Sequence, residues 1–97
     1  MFELYWAEPA KESFESLRLE ASKQKQYKAV KNALKKLAAD PSYPGLRSHE
    51  FFSIKGPNGE RVFESYAENK TPSAYRVFWY YGSGRGIITI FMIAAHP

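Results

Sequence analysis

An α+β fold is the reading this sequence supports, and three observations carry it. An alternating aromatic segment opens the chain, two stretches of helical periodicity follow, and from His49 onward apolar residues fall into short runs separated by turn residues. Helices grouped ahead of strands mark an α+β architecture. The expected arrangement is an N-terminal strand, a two-helix antiparallel hairpin and a mainly antiparallel twisted sheet, in the order β-α-α-β-β-β-β. A chain of 97 residues suffices for one domain and not for two, so residues 1–97 are expected to form a single unit.

Phe2 to Ala7 alternates and reads as a short first strand. Pro9 suits the first position of a helix, where its missing N–H costs nothing. Ala10, Phe14, Leu17 and Ala21 follow at helical spacing, which predicts a helix from about residue 9 to about 22. After the polar stretch Ser22 to Gln26, Tyr27, Val30, Leu34 and Leu37 form a second apolar stripe. Lys28, Lys31, Lys35 and Lys36 fall mostly off that stripe, either as its solvated face or as a basic strip for RNA or an acidic partner. Asp40-Pro41 stops the helix, because a residue before proline is pushed out of helical geometry. So short a connection makes the two helices an antiparallel hairpin.

From His49 the pattern becomes strand-like. Phe51, Phe52 and Ile54 lead into Gly56-Pro57-Asn58-Gly59, a tight-turn signal, with Lys55 and Glu60 placed to pair across it. Arg61 to Glu68 is the return strand and Asn69 to Ala74 a loop. Tyr75 to Tyr81 is an aromatic strand, Gly82 to Gly86 a glycine turn, and Ile87 to Ala95 the final and most apolar strand. A five-residue turn pairs Tyr81 with Ile87 and Arg76 with Met92. Arg76, Phe78 and Tyr80 then share a face with Ile88, Ile90, Met92, Ala94 and His96. One residue of slip would separate Arg76 from His96.

Composition bounds the function. An aromatic share of 16% argues against disorder and leaves more tyrosine and tryptophan than a small core needs, so some belong to a binding face. Fourteen Lys and Arg against ten Asp and Glu give +4, which favours acidic or polyanionic partners without establishing nucleic-acid binding. No cysteine is present, so disulfide and thiolate chemistry are out. Two histidines without metal-type spacing give no zinc site, and no cofactor is implied. The longest apolar run, Ile87 to Ala95, is strand-sized and not membrane-sized. The N-terminus lacks a basic region followed by an apolar run, so a cytoplasmic protein is expected.

Three groups are candidates for chemistry. Arg76, between Tyr75 and Val77, is either a charge on the open face of the sheet or a guanidinium placed for phosphate or carboxylate. His96 is either an exposed bystander near the chain end or a proton-transfer group. His49 with Glu50 is either a solvated strand start or an ionisable pair. Gly82-Ser83-Gly84-Arg85-Gly86 joins two strands and leads into no helix, so it reads as a turn and not as a phosphate loop.

Taken together, Leu37-Ala-Ala-Asp-Pro41, Pro44-Gly-Leu-Arg-Ser-His49, Ala74-Tyr-Arg-Val-Phe-Trp79 and Ile87-Ile-Thr-Ile-Phe-Met-Ile-Ala-Ala-His96 resemble the RelE/ParE superfamily of toxin–antitoxin toxins. Tyr75-Arg76-Val77 is the most specific of these, and the element order is similar over nearly the whole chain. Members similar to RelE, YoeB and HigB are ribosome-dependent endoribonucleases that cut mRNA, without a metal, by attack of a ribose 2′-hydroxyl on the adjacent phosphate. ParE-like members inhibit DNA gyrase and catalyse nothing. The resemblance implies Arg76 as the phosphate-stabilising cation and His96 as the acid or base. It implies Arg47, Lys55 and Arg61 as further substrate contacts, with His49 beside them. It also implies a cognate antitoxin as partner, together with the ribosome and mRNA or, in the alternative, gyrase. The RelE-like lysine pair is replaced by Phe63-Glu64-Ser65-Tyr66, and Pro44-Gly45 falls where YoeB-like toxins carry a catalytic glutamate, Glu50 being only a shifted counterpart. Endoribonuclease, ParE-like inhibitor and non-toxic partner-binding module therefore all stay open at this point.

Overall fold

The computed structural model describes residues 1–71 and 73–96; Pro72, in the loop expected at Asn69 to Ala74, and Pro97 lie outside them. The elements are β1 (Glu3–Trp6), α1 (Glu8–Leu19), α2 (Gln24–Ala39), β2 (His49–Lys55), β3 (Arg61–Tyr66), β4 (Tyr75–Tyr81) and β5 (Ile87–Ala95). One sheet of five strands has the order β1-β5-β4-β3-β2. β1 runs parallel to β5, and the other neighbours are antiparallel. The expected α+β architecture is the observed one. Among the described residues no helix is long and apolar enough to cross a membrane.

Both helices lie on one face of the sheet. Ala10 and Leu17 of α1 and Val30, Ala33, Leu34 and Leu37 of α2 pack with Val77, Trp79, Ile88, Ile90 and Ile93. Each helix offers an i, i+3, i+4, i+7 stripe, and alternate strand residues offer the matching surface. α1 ends at Leu19, three residues before its expected end, because Glu20 turns extended and a short 3-10 turn, Ala21–Lys23, follows. The cause lies in Gln24. Its amide donates to the carbonyl oxygens of Arg18 at 3.1 Å and Glu20 at 2.9 Å, with Leu17 at 3.4 Å. It thus reaches carbonyls at the end of α1 and that of Glu20, which also accepts the Lys23 N–H at 3.0 Å. Gln24→Ala is expected to cost about 1 kcal/mol in urea denaturation; an unchanged midpoint would remove this side chain as the stop signal.

The Gly56–Gly59 turn forms as expected, with Gly59 at φ 83° and its N–H on the Gly56 carbonyl. Lys55 and Glu60 do not pair across it. Lys55 stands opposite Arg61, and the Glu60 carboxylate accepts the Asn58 N–H at 2.8 Å, folding back into the turn. β3 stops at Tyr66, short of Glu68, because the N–H groups of Ala67 and Glu68 both reach the Tyr75 carbonyl, leaving one residue too many for the ladder.

The β4–β5 register departs from expectation twice. Tyr81 pairs with Ile88 and not Ile87, a slip of one residue at the turn. A bulge opposite the Phe78/Trp79 step then adds another, so that Phe78 pairs with Met92 and Arg76 with Ala94, not Met92. Ile88 and Ile90 consequently lie with Trp79 on the helix-covered face and not with Arg76. The second shift cancels the first in parity. Arg76, Phe78, Met92, Ala94 and His96 end on one face, as the simpler register also had it.

Candidate functional site

The face of the sheet away from the helices has two parts. Val62, Phe78 and Tyr80 form a small apolar patch with Phe51, Ile54, Phe91 and Met92, closed by the Phe51 ring edge-on to Phe78 at 5.0 Å. Beside it, toward the β5 terminus, stands a polar cluster built on Glu64. Alternation from Val62 through Glu64 to Tyr66 puts this carboxylate on the Arg76 side, and packing leaves it only 4% exposed. Three basic side chains, from β2, β4 and the residue after β5, meet it. His49 Nε2 lies 2.9 Å from Oε1, Arg76 Nε 3.6 Å from Oε2, and His96 Nδ1 3.9 Å from the same Oε2.

Arg76 is 7% exposed and held on several sides. Its guanidinium carbon lies 3.7 Å from the centre of the Tyr66 ring, and Nη1 donates to the Glu68 carbonyl at 2.7 Å. Nε is sealed from solvent without a hydrogen bond, as is Glu64 Oε2 facing it. Nη2 has no hydrogen bond among the described residues and is not sealed in the same way.

The two histidines are differently placed. His49 is fixed at both nitrogens, with Nδ1 donating to the Arg47 carbonyl at 2.9 Å. That carbonyl only accepts, so Nδ1 is the donor there, while Nε2 lies at hydrogen-bond distance from Glu64 Oε1. His96 is tied only through its backbone, whose N–H donates to the Ala74 carbonyl at 2.7 Å and extends the β4–β5 ladder by one bond. Its ring is about half exposed and makes no hydrogen bond among the described residues, Nδ1 approaching Glu64 Oε2 only to 3.9 Å. Of the two, His96 is therefore the imidazole free to exchange a proton with a ligand.

Among the remaining candidates, Arg47 is brought to the cluster. It follows a 3-10 turn, Pro44–Leu46, in left-handed conformation at φ 48°, and its guanidinium stands 5.8 Å from the same Tyr66 ring with no carboxylate partner among the described residues. Lys55 and Arg61 are not brought there. They stand opposite one another at the far end of β2 and β3, on the side of Phe63, and both engage Glu50: Arg61 Nη2 at 2.6 Å, Lys55 Nζ at 3.9 Å. The Arg61 hydrogen bond holds the Glu50 carboxyl below its usual range. Glu50 thus belongs to a surface ion pair, and its neighbour His49 faces the opposite way.

Sequence reasoning missed Glu64 and Tyr66. The signal was present: a lone carboxylate inside an apolar strand, in phase with an arginine on the next strand, marks a buried opposite-charge contact. The arrangement can hold an anion beside Arg47 and Arg76 and move a proton through His96. No group of three or more His, Cys, Asp or Glu fit to hold a metal ion occurs among the described residues.

The fold is shared with solved structures of YoeB/ParE and RelE toxins. The chain superposes on a YoeB/ParE toxin from Agrobacterium tumefaciens with TM-score 0.70, at 8% identity and over 99% of this chain and 100% of that one. It is similar to the archaeal RelE of a RelE–RelB complex from Pyrococcus horikoshii, with TM-score 0.64 at 12% identity, over 97% and 93% of the two chains. A YoeB–YefM toxin–antitoxin complex from Staphylococcus aureus gives TM-score 0.65 at 12% identity, over 100% and 99%. No protein-family model matches the sequence, and no curated protein matches it either.

Proposed function

We propose that this chain is the toxin of a type II toxin–antitoxin pair and cleaves mRNA on the ribosome. The observation that most supports this is the convergence of Arg76, His96 and His49 on one buried carboxylate, with the unpaired Arg47 beside them. In the proposed reaction the 2′-oxygen of a ribose bonds to the adjacent phosphorus and the bond from phosphorus to the 5′-oxygen breaks. The products are a 2′,3′-cyclic phosphate and a 5′-hydroxyl end, so the proton lost by the 2′-oxygen is matched by one gained at the 5′-oxygen. His96 is the proton-transfer group, and Arg47 with Nη2 of Arg76 meets the charge developing on the phosphate. The fold neighbours found in complexes with RelB and YefM support a cognate antitoxin as partner. A cytoplasmic site of action follows from the same reading.

Tightly induced expression tests the proposal. Protein synthesis is expected to fall within minutes, ahead of DNA synthesis, and primer extension on ribosome-bound mRNA to show new 5′-hydroxyl ends. His96→Gln is expected to lower cleavage by about 10²–10⁴-fold while ribosome binding persists. If DNA synthesis stalls first, with altered supercoiling and intact mRNA, the protein is a ParE-like inhibitor. If growth continues without any partner, it is a binding module of this fold.

A further inference from the structure

Resting on that reading of the site, we infer that Glu64 is a positioning residue that fixes the tautomer of His96. Oε2 of Glu64 is buried and accepts no hydrogen bond, yet it stands 3.6 Å from Arg76 Nε and 3.9 Å from His96 Nδ1. The other oxygen is already occupied by His49. The groups facing the carboxylate are thus His49 from β2, Arg76 from β4 and His96 beyond β5, with Tyr66 of its own strand carrying the Arg76 stack. Arg76 cannot readily close its own gap, because Nη1 is anchored on the Glu68 carbonyl and the guanidinium plane lies on Tyr66. His96 can. Its backbone is pinned to Ala74 while its half-exposed ring turns about the side-chain bonds.

A buried anionic oxygen lacking a donor recruits the nearest available N–H, which is Nδ1 of His96. The neutral ring then carries its proton on Nδ1, and Nε2 presents a lone pair to the ligand side. An unconstrained histidine carrying its proton on Nε2 would show the ligand a donor instead. Glu64 therefore decides which end of the imidazole is basic, and it acts only through His96.

Long-range proton–nitrogen NMR correlation on the wild-type protein without RNA reads the tautomer directly. The expected result is Nδ1–H for neutral His96, reverting to Nε2–H in Glu64→Gln. In cleavage assays Glu64→Gln is expected to lower kcat by about 10–100-fold with KM unchanged, as for lost orientation of a catalytic group. An Nε2–H tautomer in the wild type, or the same tautomer in both proteins, overturns the inference. If Glu64→Gln fails to fold, the wild-type spectrum alone decides. Because the spectra need no substrate, a chain that cleaves no mRNA leaves the tautomer result standing. Conversely, an Nε2–H His96 in a cleaving toxin removes only the role of Glu64.

Discussion

Arg76→Leu is expected to destabilise the protein by about 3–5 kcal/mol and, under the proposed function, to abolish toxicity, the two losses having different causes. The first follows from burial. Glu64 and Arg76 are 4% and 7% exposed, and removing the arginine strands a carboxylate in low dielectric with only the half-exposed His49 and His96 near it. The cost should then fall sharply in Arg76→Leu combined with Glu64→Gln, where no unpaired charge is left. A double-mutant cycle in denaturant measures this coupling, and additive single effects would show that the pair contributes nothing at 3.6 Å. If the proposed function holds, toxicity should not return in the double variant, because the proposed cation for the phosphate is still missing. Arg76→Lys separates the causes further. It keeps a charge near Glu64 but gives up the planar stack on Tyr66 and the fixed Nη1 donor to the Glu68 carbonyl, so activity should drop more than stability.

This arginine shows what was legible in the sequence. Tyr75 to Tyr81 and Ile87 to Ala95 were bounded by glycines and apolar runs, and they form β4 and β5 over those residues. The parity that puts Arg76 and His96 on one face was also reached, although by a register that the structure replaces. Pattern alone does not place a bulge, since the Phe78/Trp79 step looks like any other alternating pair. The same limit applies to the polar hub. A glutamate at position 64 read as the absence of a lysine, because composition along one strand says nothing about which charges the neighbouring strands deliver. Lys55 and Arg61 show the converse: their charge suited a phosphate, and the pairing of β2 with β3 hands them to Glu50 on the other side. The end of α1 was missed for a local reason, whereas α2 stops at Ala39, before Asp40-Pro41, as expected. The amide of Gln24 caps α1 from six residues beyond Arg18, a contact that requires the turn to be formed already.

Trp79→Ala is expected to be the most destabilising change on the helix-covered face, at about 3–5 kcal/mol. The indole is 1% exposed and stacks on Phe63 at 4.9 Å, and it meets Tyr81 edge-on at 5.1 Å. Its N–H donates to the buried Ser65 hydroxyl at 2.8 Å, which in turn shares a hydrogen bond with Ser48 at 2.7 Å. The substitution removes a large side chain from a packed layer and takes away one partner of that chain of hydroxyls. For a domain this small the melting temperature should fall on the order of 15–30 °C. Trp79→Phe divides the effect, keeping much of the ring while losing the donor, and should cost less. Ser65→Ala isolates the polar part by leaving the indole N–H buried and unpaired, at about 1–3 kcal/mol. The consequence also reaches the site. Ser48 directly precedes His49 and follows Arg47, so the bond from the core to Ser48 helps to hold the segment that presents both to Glu64. Ser65→Ala should therefore broaden or shift the NMR signals of His49 more than those of His96, whose backbone is held separately by Ala74. Equal effects on the two histidines, or a Trp79→Ala protein that melts within a few degrees of wild type, would show that the core does not position the site.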